Sequence, residues 1–268
     1  MIVRQEGERL VIVRQADHAE LSGSLAAAWG QAPWERPRPY PAVTVGARLH
    51  DDAWLVFDEA PEVRDGRPLS FNEVDRVRTS SMYAAGVSAI TAIDPYAGLL
   101  VSLHYSGFFT SHWGWQPFAT PDRFPGAQGM ALRAFVEEER NRQEVLRRQL
   151  PPSDADEALL EANYKWLQLW DRISLDICRQ SREEPWVMDY APVPACYAGG
   201  DTVALKVAMV APGRYTLNPY PLLVTPFRTS IPAVSMDLSY ASREAFLAAW
   251  AVAPQERLPV VIEGGEGP

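Results

Sequence analysis

The chain has few cysteines and no long apolar run. Its two cysteines, Cys178 and Cys196, lack CxxC spacing, so neither a disulfide framework nor a zinc ribbon is predicted. The longest apolar candidate, residues 88–103, is interrupted by Asp94 and Pro95, which leaves no stretch of about 18 apolar residues to span a membrane. The first ten residues carry charges where a signal peptide needs an apolar segment. We therefore expect a soluble, cytoplasmic protein.

Basic runs are also absent, and the formal net charge is -9. Nucleic-acid binding requires a basic face that neutralises phosphates, so this class of partner is not expected. The chain contains no GxGxxG, Walker, GxSxG or HExxH motif. An apolar fraction of 47% is ample for a core. A small molecule is therefore the expected partner, and the sequence predicts no oligomeric state.

Hydrophobic periodicity predicts helices through most of the first 180 residues. They span about 16–29, 42–56, 73–93, 95–108 and 130–150, and a last one ends near Gln180. Asp94 followed by Pro95 is typical of a helix N-cap. Short strands are predicted at 10–13, 203–210, 222–225 and 258–263, with a helix at 242–250. The predicted fold is mostly α, a helical domain over 1–182 with a β-rich C-terminal extension over 183–268 packed on it, and α+β overall.

All four histidines lie in the first half of the chain. His18, His50 and His104 fall on the apolar stripes of three predicted helices, where an imidazole is unfavourable unless it has a partner. Asp171 occupies the apolar stripe of the last long helix, and a buried carboxylate there costs several kcal/mol unless it is paired or bound to a metal. An arginine is the alternative partner for Asp171. Together these positions predict a buried metal site.

Asp51 follows His50 directly, so on a continuous helix its side chain would point about 100° away from that of His50. Both bind one ion only if that ion lies against the helix between the two directions. Asp52 lies a further 100° or so round and is expected to cap, to bond a neighbour or to act from outside the ligand set.

The order of these residues resembles a known superfamily. A His is followed after 32 residues by a His-Asp pair, then by another His, and by an Asp about 120 residues after the pair. This order resembles the HD-domain superfamily of helical metalloenzymes. The blocks QADHAELSGSLA, ARLHDDAW, DPYAGLLVSLH and WDRISLDIC more closely resemble a related bacterial family without an assigned function. The resemblance covers roughly Arg14 to Arg179 and implies an HD-like helical bundle.

The resemblance also assigns ligand positions. His18 matches the first His, His50 and Asp51 the doublet, and Asp171 the closing Asp. His104 matches an extra histidine of the two-metal members, which usually have two such residues. Whether His112, eight residues later, is the second one stays open.

Such a donor set favours one or two divalent transition ions, namely Zn, Mn, Fe, Ni or Co, over Ca or Mg. Water bound to such an ion has its pKa lowered from about 15.7 towards 7. The predicted function is a metal-dependent phosphohydrolase that acts on a small phosphoester or nucleotide. Asp52 or Asp94 is a candidate base or orienting group, although Asp94 is equally explained as a cap. Arg48 or Arg172 is a candidate phosphate clamp, with a surface ion pair as the alternative.

Two other functions remain open. Some HD-fold proteins are diiron oxygenases that use four histidines and two aspartates, a count that this chain reaches only if His112 is a ligand. A non-catalytic, metal-stabilised protein is the other alternative, with the aromatic loop at 108–118 and the C-terminal segment forming a surface for a ligand or partner.

Overall fold

The fold is seen in a computed structural model that describes residues 1–110, 120–197 and 201–265. Eight α-helices are described in these residues: α1 Gln15–Ala28, α2 Tyr40–Leu49, α3 Leu55–Glu59, α4 Arg76–Ile93, α5 Pro95–Gly107, α6 Gly126–Gln149, α7 Glu157–Arg179 and α8 Arg243–Val252. No described helix combines the length and apolar character that a membrane crossing would require.

Seven of the nine described strands form one sheet. The strands are β1 Ile2–Glu6, β2 Arg9–Val13, β3 Val63–Arg64, β4 Arg67–Pro68, β5 Trp186–Pro194, β6 Thr202–Ala211, β7 Arg214–Asn218, β8 Phe227–Asp237 and β9 Gln255–Gly264. The large sheet has the order β1-β2-β8-β9-β7-β6-β5 and is antiparallel except between β7 and β9, while β3 and β4 form a separate hairpin.

The expectation of a mostly α, HD-like bundle with a β-rich C-terminal extension is wrong. About half of the chain is helical, and the seven strands form a curled mixed sheet that resembles half of a barrel. Two N-terminal strands belong to this sheet, because β2 pairs with β8. Local periodicity does not report such long-range pairing, and Pro192 and Pro232 break the strand patterns of β5 and β8. The sheet joins strands from both sides of residue 182, and the two-domain division itself stays a prediction.

Most predicted helices are present, with shifted ends. The N-cap expected at Asp94 is confirmed, since its Oδ1 accepts a hydrogen bond of 2.9 Å from the amide of Ala97. The helix predicted to reach Val56 instead ends at Leu49 and is followed by a 3-10 turn and the short α3. The strand expected at 222–225 reduces to a single bridge between Leu222 and Trp29.

The helices that carry the candidate ligands pack together next to the sheet. α1 contacts α2 and α7, and α5 contacts α2 and α7 as well. α1 also contacts β8, and α7 contacts β1 and β5. The interior between these helices is filled with fully buried aromatic side chains such as Trp29, Trp166 and Trp170. This packing holds four helices around one small buried volume.

Candidate metal centre

Five side chains converge in the interior from four separate parts of the chain. His18 comes from α1, His50 and Asp51 from the end of α2, His104 from α5 and Asp171 from α7. The three histidines are fully buried, and each aspartate residue is 6% exposed. The described residues form two groups that could hold a metal ion, namely His18, His50 and Asp51, and His50, His104 and Asp171.

A helix end places His50 and Asp51 on the same side. His50 is the C-cap of α2, and Asp51 has φ -113° and ψ 16°, outside helical geometry. The 100° divergence expected of neighbours on a continuous helix therefore does not apply. Asp51 Oδ2 lies 2.8 Å from His18 Nε2 and 3.9 Å from His50 Nε2.

Asp171 faces the other two imidazoles with different oxygens. Its Oδ1 lies 3.4 Å from His50 Nε2, and its Oδ2 lies 3.7 Å from His104 Nε2. Within the described part of the chain no arginine forms an ion pair with Asp171, so the alternative of an arginine partner is not seen there. His50 thus lies between the two carboxylates and belongs to both groups.

Hydrogen bonds to the Nδ1 atoms of His18 and His50 leave their Nε2 atoms as candidate metal donors. His50 Nδ1 donates to the carbonyl oxygen of Ala47 at 2.8 Å, because a carbonyl only accepts. Ser174 Oγ donates to the carbonyl of Asp171, so it accepts from His18 Nδ1, also at 2.8 Å. Both rings are therefore protonated at Nδ1, and their Nε2 atoms face the carboxylates.

The two carboxylates and three imidazoles of the centre shift one another's pKa values. Burial disfavours a charged His50, yet the carboxylates of Asp51 and Asp171 outweigh burial and raise the pKa of His50 to about 9. Burial likewise acts to raise the pKa of Asp171, but the neighbouring His50 outweighs it and lowers this pKa to about 2. Burial lowers the pKa of His104 to about 4. A protonated His50 therefore balances part of the carboxylate charge, and a metal ion between the carboxylates would replace that proton.

These residues fit a transition-metal ion. Among the described residues, His50 Nε2 and both ring nitrogens of His104 have no hydrogen-bond partner, which is costly for buried polar atoms. Metal bonds of about 2.1 Å place neighbouring ligand atoms roughly 3.0–3.4 Å apart. The His18–Asp51 and His50–Asp171 separations of 2.8 and 3.4 Å lie near that range, and the His104–Asp171 and His50–Asp51 separations of 3.7 and 3.9 Å are slightly longer. Imidazole and carboxylate donors together match ions such as Zn, Mn, Fe, Ni or Co.

A cavity of about 220 Å³ opens beside the centre. Asp51 and Asp171 line it, so the candidate ligands are in contact with this space. Its aromatic lining residues are Trp54, Phe71, Tyr83, Phe108, Phe109 and Tyr164, and its arginines are Arg76, Arg172 and Arg179. Gln15 also lines the cavity and donates to Asp51 Oδ2 at 3.0 Å, which fixes that carboxylate.

The remaining predicted site residues have other surroundings. Asp52 begins the 3-10 turn and is half-buried, which raises its carboxyl pKa, but it is not among the described residues that line the cavity. Asp94 caps α5. Arg48 is exposed and pairs with Glu20 at 3.1 Å. The structure therefore brings none of these three residues to the cavity. Residues 111–118 of the aromatic loop, including His112, lie outside the described residues.

Arg172 does line the cavity, although its Nε is already 3.1 Å from Asp176 Oδ2. Sequence reasoning missed Ser174, Gln15, Arg76 and Arg179. Ser174 follows Asp171 by three residues on α7, so helical spacing from a known ligand is the signal that finds it. The other three carry no local signal, because only the assembled cavity brings them together.

Comparison with known proteins gives a family and no function. A family model described as "Protein of unknown function (DUF3891)" matches residues 1–237, which includes all five candidate ligands and β1 through β8. No curated protein and no solved structure matches the chain.

Proposed function

The chain belongs to the DUF3891 family, whose function is unknown, and we propose that it is a metal-dependent phosphohydrolase that acts on a small phosphoester. The observation that carries this proposal is the convergence of three imidazoles and two carboxylates at a cavity lined by arginines. The HD-like order of these ligands supports the same reaction class.

His18, His50, Asp51, His104 and Asp171 would hold the ion or ions. When bound, a divalent transition ion supplies Lewis acidity, which polarises a phosphoryl oxygen and lowers the pKa of water at the site. Gln15 keeps Asp51 oriented, because its side-chain amide donates a hydrogen bond of 3.0 Å to Asp51 Oδ2. The Nδ1 bonds of His18 and His50 keep their rings turned towards the same point.

The cavity supplies the binding step. Its arginines attract a substrate that carries negative charge, and its aromatic walls exclude water around the reacting group. In hydrolysis the oxygen of water bonds to phosphorus, the phosphorus–oxygen bond to the leaving group breaks, and a proton from the water passes to the departing oxygen. The side chains that line the cavity orient the ester for that attack.

The diiron oxygenase differs from the phosphohydrolase in needing a fourth histidine. The described centre contains three imidazoles, and His112, the remaining candidate, lies outside the described residues, so an unchanged metal stoichiometry in His112→Ala would count against the oxygenase. A non-catalytic role is less well supported, because the candidate ligands Asp51 and Asp171 line an open cavity instead of being sealed in the core.

The test combines metal analysis with turnover. Protein purified without added metal is analysed for bound elements and assayed with p-nitrophenyl phosphate after loading with Zn, Mn, Fe, Ni or Co. Asp51→Ala and Asp171→Ala are expected to lose both metal and turnover. Asp189→Ala, on the exposed face of β5, is the matched control and should retain both. Full metal occupancy in both ligand variants, or no turnover with any loaded ion, contradicts the proposal.

A further inference from the structure

The cavity has room for about one ring and one phosphoryl group beside the metal centre. Its volume is about 220 Å³. A dry protein cavity of about 150 Å³ accepts benzene, so the additional space here corresponds to a compact polar group.

The walls favour a flat apolar group. Trp54 and Tyr83 are almost fully buried and form part of the lining, with Phe71, Phe108 and Tyr164. Aromatic side chains pack best against other rings, edge to face or offset. The leaving group of the phosphoester is therefore expected to be aromatic.

Arg179 gives the cavity an additional cationic group. Arg172 is neutralised by Asp176, whereas no carboxylate in the described ranges forms an ion pair with Arg179. Arg179 is an exposed residue that lines the cavity, and its guanidinium lies 5.9 Å from the centroid of the Phe71 ring. Among the described lining residues the carboxylates are Asp51 and Asp171, and both are candidate metal ligands.

Arg179 is separated from Asp171 along helix α7. It follows Asp171 by eight residues on α7, which corresponds to about 12 Å along the axis. Helical side chains lean towards the N-terminus, so the guanidinium is carried back part of this distance towards the centre. A phosphoryl group at the metal centre and a group on the opposite side of one ring would then be held by different parts of the cavity.

We propose that the substrate is an aromatic phosphomonoester whose ring carries a second anionic group opposite the phosphate, and that Arg179 selects this group. The proposal rests on the proposed phosphohydrolase function. It assigns the metal centre to the phosphoryl group, the aromatic walls to the ring and Arg179 to the distal anion.

The test compares phenyl phosphate with 4-carboxyphenyl phosphate on metal-loaded protein. The carboxylated ester should have the lower KM, and Arg179→Gln should raise that KM about tenfold, clearly more than it raises the KM for phenyl phosphate. Arg179→Glu should reverse the preference towards 4-(aminomethyl)phenyl phosphate. Arg148→Gln, an exposed arginine paired with Glu144 on α6, is the control and should leave all values unchanged.

A second measurement separates this inference from the hydrolase. Binding of phenylphosphonate and 4-carboxyphenylphosphonate, which cannot be hydrolysed at an ester oxygen, is measured by calorimetry. A preference for the carboxylated compound that Arg179→Gln removes supports the ligand class, even if no ester is turned over and the hydrolase is rejected. Equal affinity for both compounds, or a preference that Arg179→Gln leaves intact, overturns the inference even when esters are hydrolysed.

Discussion

Ser174 is expected to control metal affinity without being a ligand. Its hydroxyl donates to the carbonyl of Asp171 and accepts from His18 Nδ1, and Ser22 Oγ lies 2.9 Å from it. Replacement by alanine removes the acceptor that keeps the His18 proton on Nδ1. The ring is then free to place a proton on Nε2, the atom that faces Asp51.

The expected loss of metal affinity in Ser174→Ala follows from the role of groups that orient metal ligands. Loss of such a partner typically costs about 10–100-fold in metal affinity, or roughly 1.4–2.7 kcal/mol. A metal present at about 100 times its Kd stabilises the folded state by about 2.7 kcal/mol, and a tenfold weaker site retains about 1.4 kcal/mol. Ser174→Ala should therefore halve the stabilisation that the metal provides at a fixed concentration. The metal-free protein should lose about 1–3 kcal/mol as well, because buried donors lose a partner.

The assay is competition for Zn²⁺ with a chromophoric chelator, together with urea unfolding with and without metal. Ser174→Thr keeps the hydroxyl and should restore most of the affinity. Ser24→Ala is the matched control, since Ser24 Oγ donates to the carbonyl oxygen of Glu20 within α1. An unchanged Zn²⁺ affinity in folded Ser174→Ala protein would refute the reasoning about the His18 tautomer.

Three further changes test other parts of the structure. His104→Leu replaces an imidazole whose nitrogens have no hydrogen-bond partner among the described residues, so the metal-free protein should unfold at equal or higher urea while Zn²⁺ affinity falls at least tenfold. Gly23→Ala should lower stability by about 1–3 kcal/mol, because a Cβ there would lie 2.6 Å from Arg48 Cβ and force α1 away from α2; unchanged urea unfolding would contradict this close approach. Burial raises the pKa of Glu139, so the folded protein favours the protonated carboxyl group. The stability that this protonation contributes is lost as pH rises above about 4.5. In urea unfolding, the stability of Glu139→Gln relative to wild type should therefore increase from pH 4 to pH 8. A relative stability that decreases over this range would contradict the prediction.

The helices were predictable and most of the sheet was not. A helix records its packing in its own 3.6-residue period, so α1, α5 and α7 could be placed within a few residues. The sheet depends on pairing between distant segments, such as Arg9 with Asp237, and no local pattern reports such a pair. Strands β5, β7 and β8 and the N-terminal β1 were therefore missed.

The candidate ligands were predictable because a polar residue on an apolar stripe is unusual. This signal identified His18, His50, His104 and Asp171, which are all buried. The apolar-stripe pattern does not place Asp51, because its position depends on the end of α2 at Leu49. Periodicity had extended this helix to Val56. The cavity was not predictable, since Arg76, Arg179 and the aromatic walls come from elements whose relative placement is set by the whole fold.

The sheet and the metal centre are parts of one structure. β2 ends at Val13 and α1 begins at Gln15, so the pairing of β2 with β8 determines where the helix that carries His18 starts. Gln15 strengthens this link, because its backbone amide donates to Asp58 at 2.8 Å and its side chain donates to Asp51. A strand from the C-terminal third of the chain thereby helps to set the distance between His18 and Asp51. The β-rich segment after residue 183 therefore contributes to the geometry of the centre as well as covering the helices.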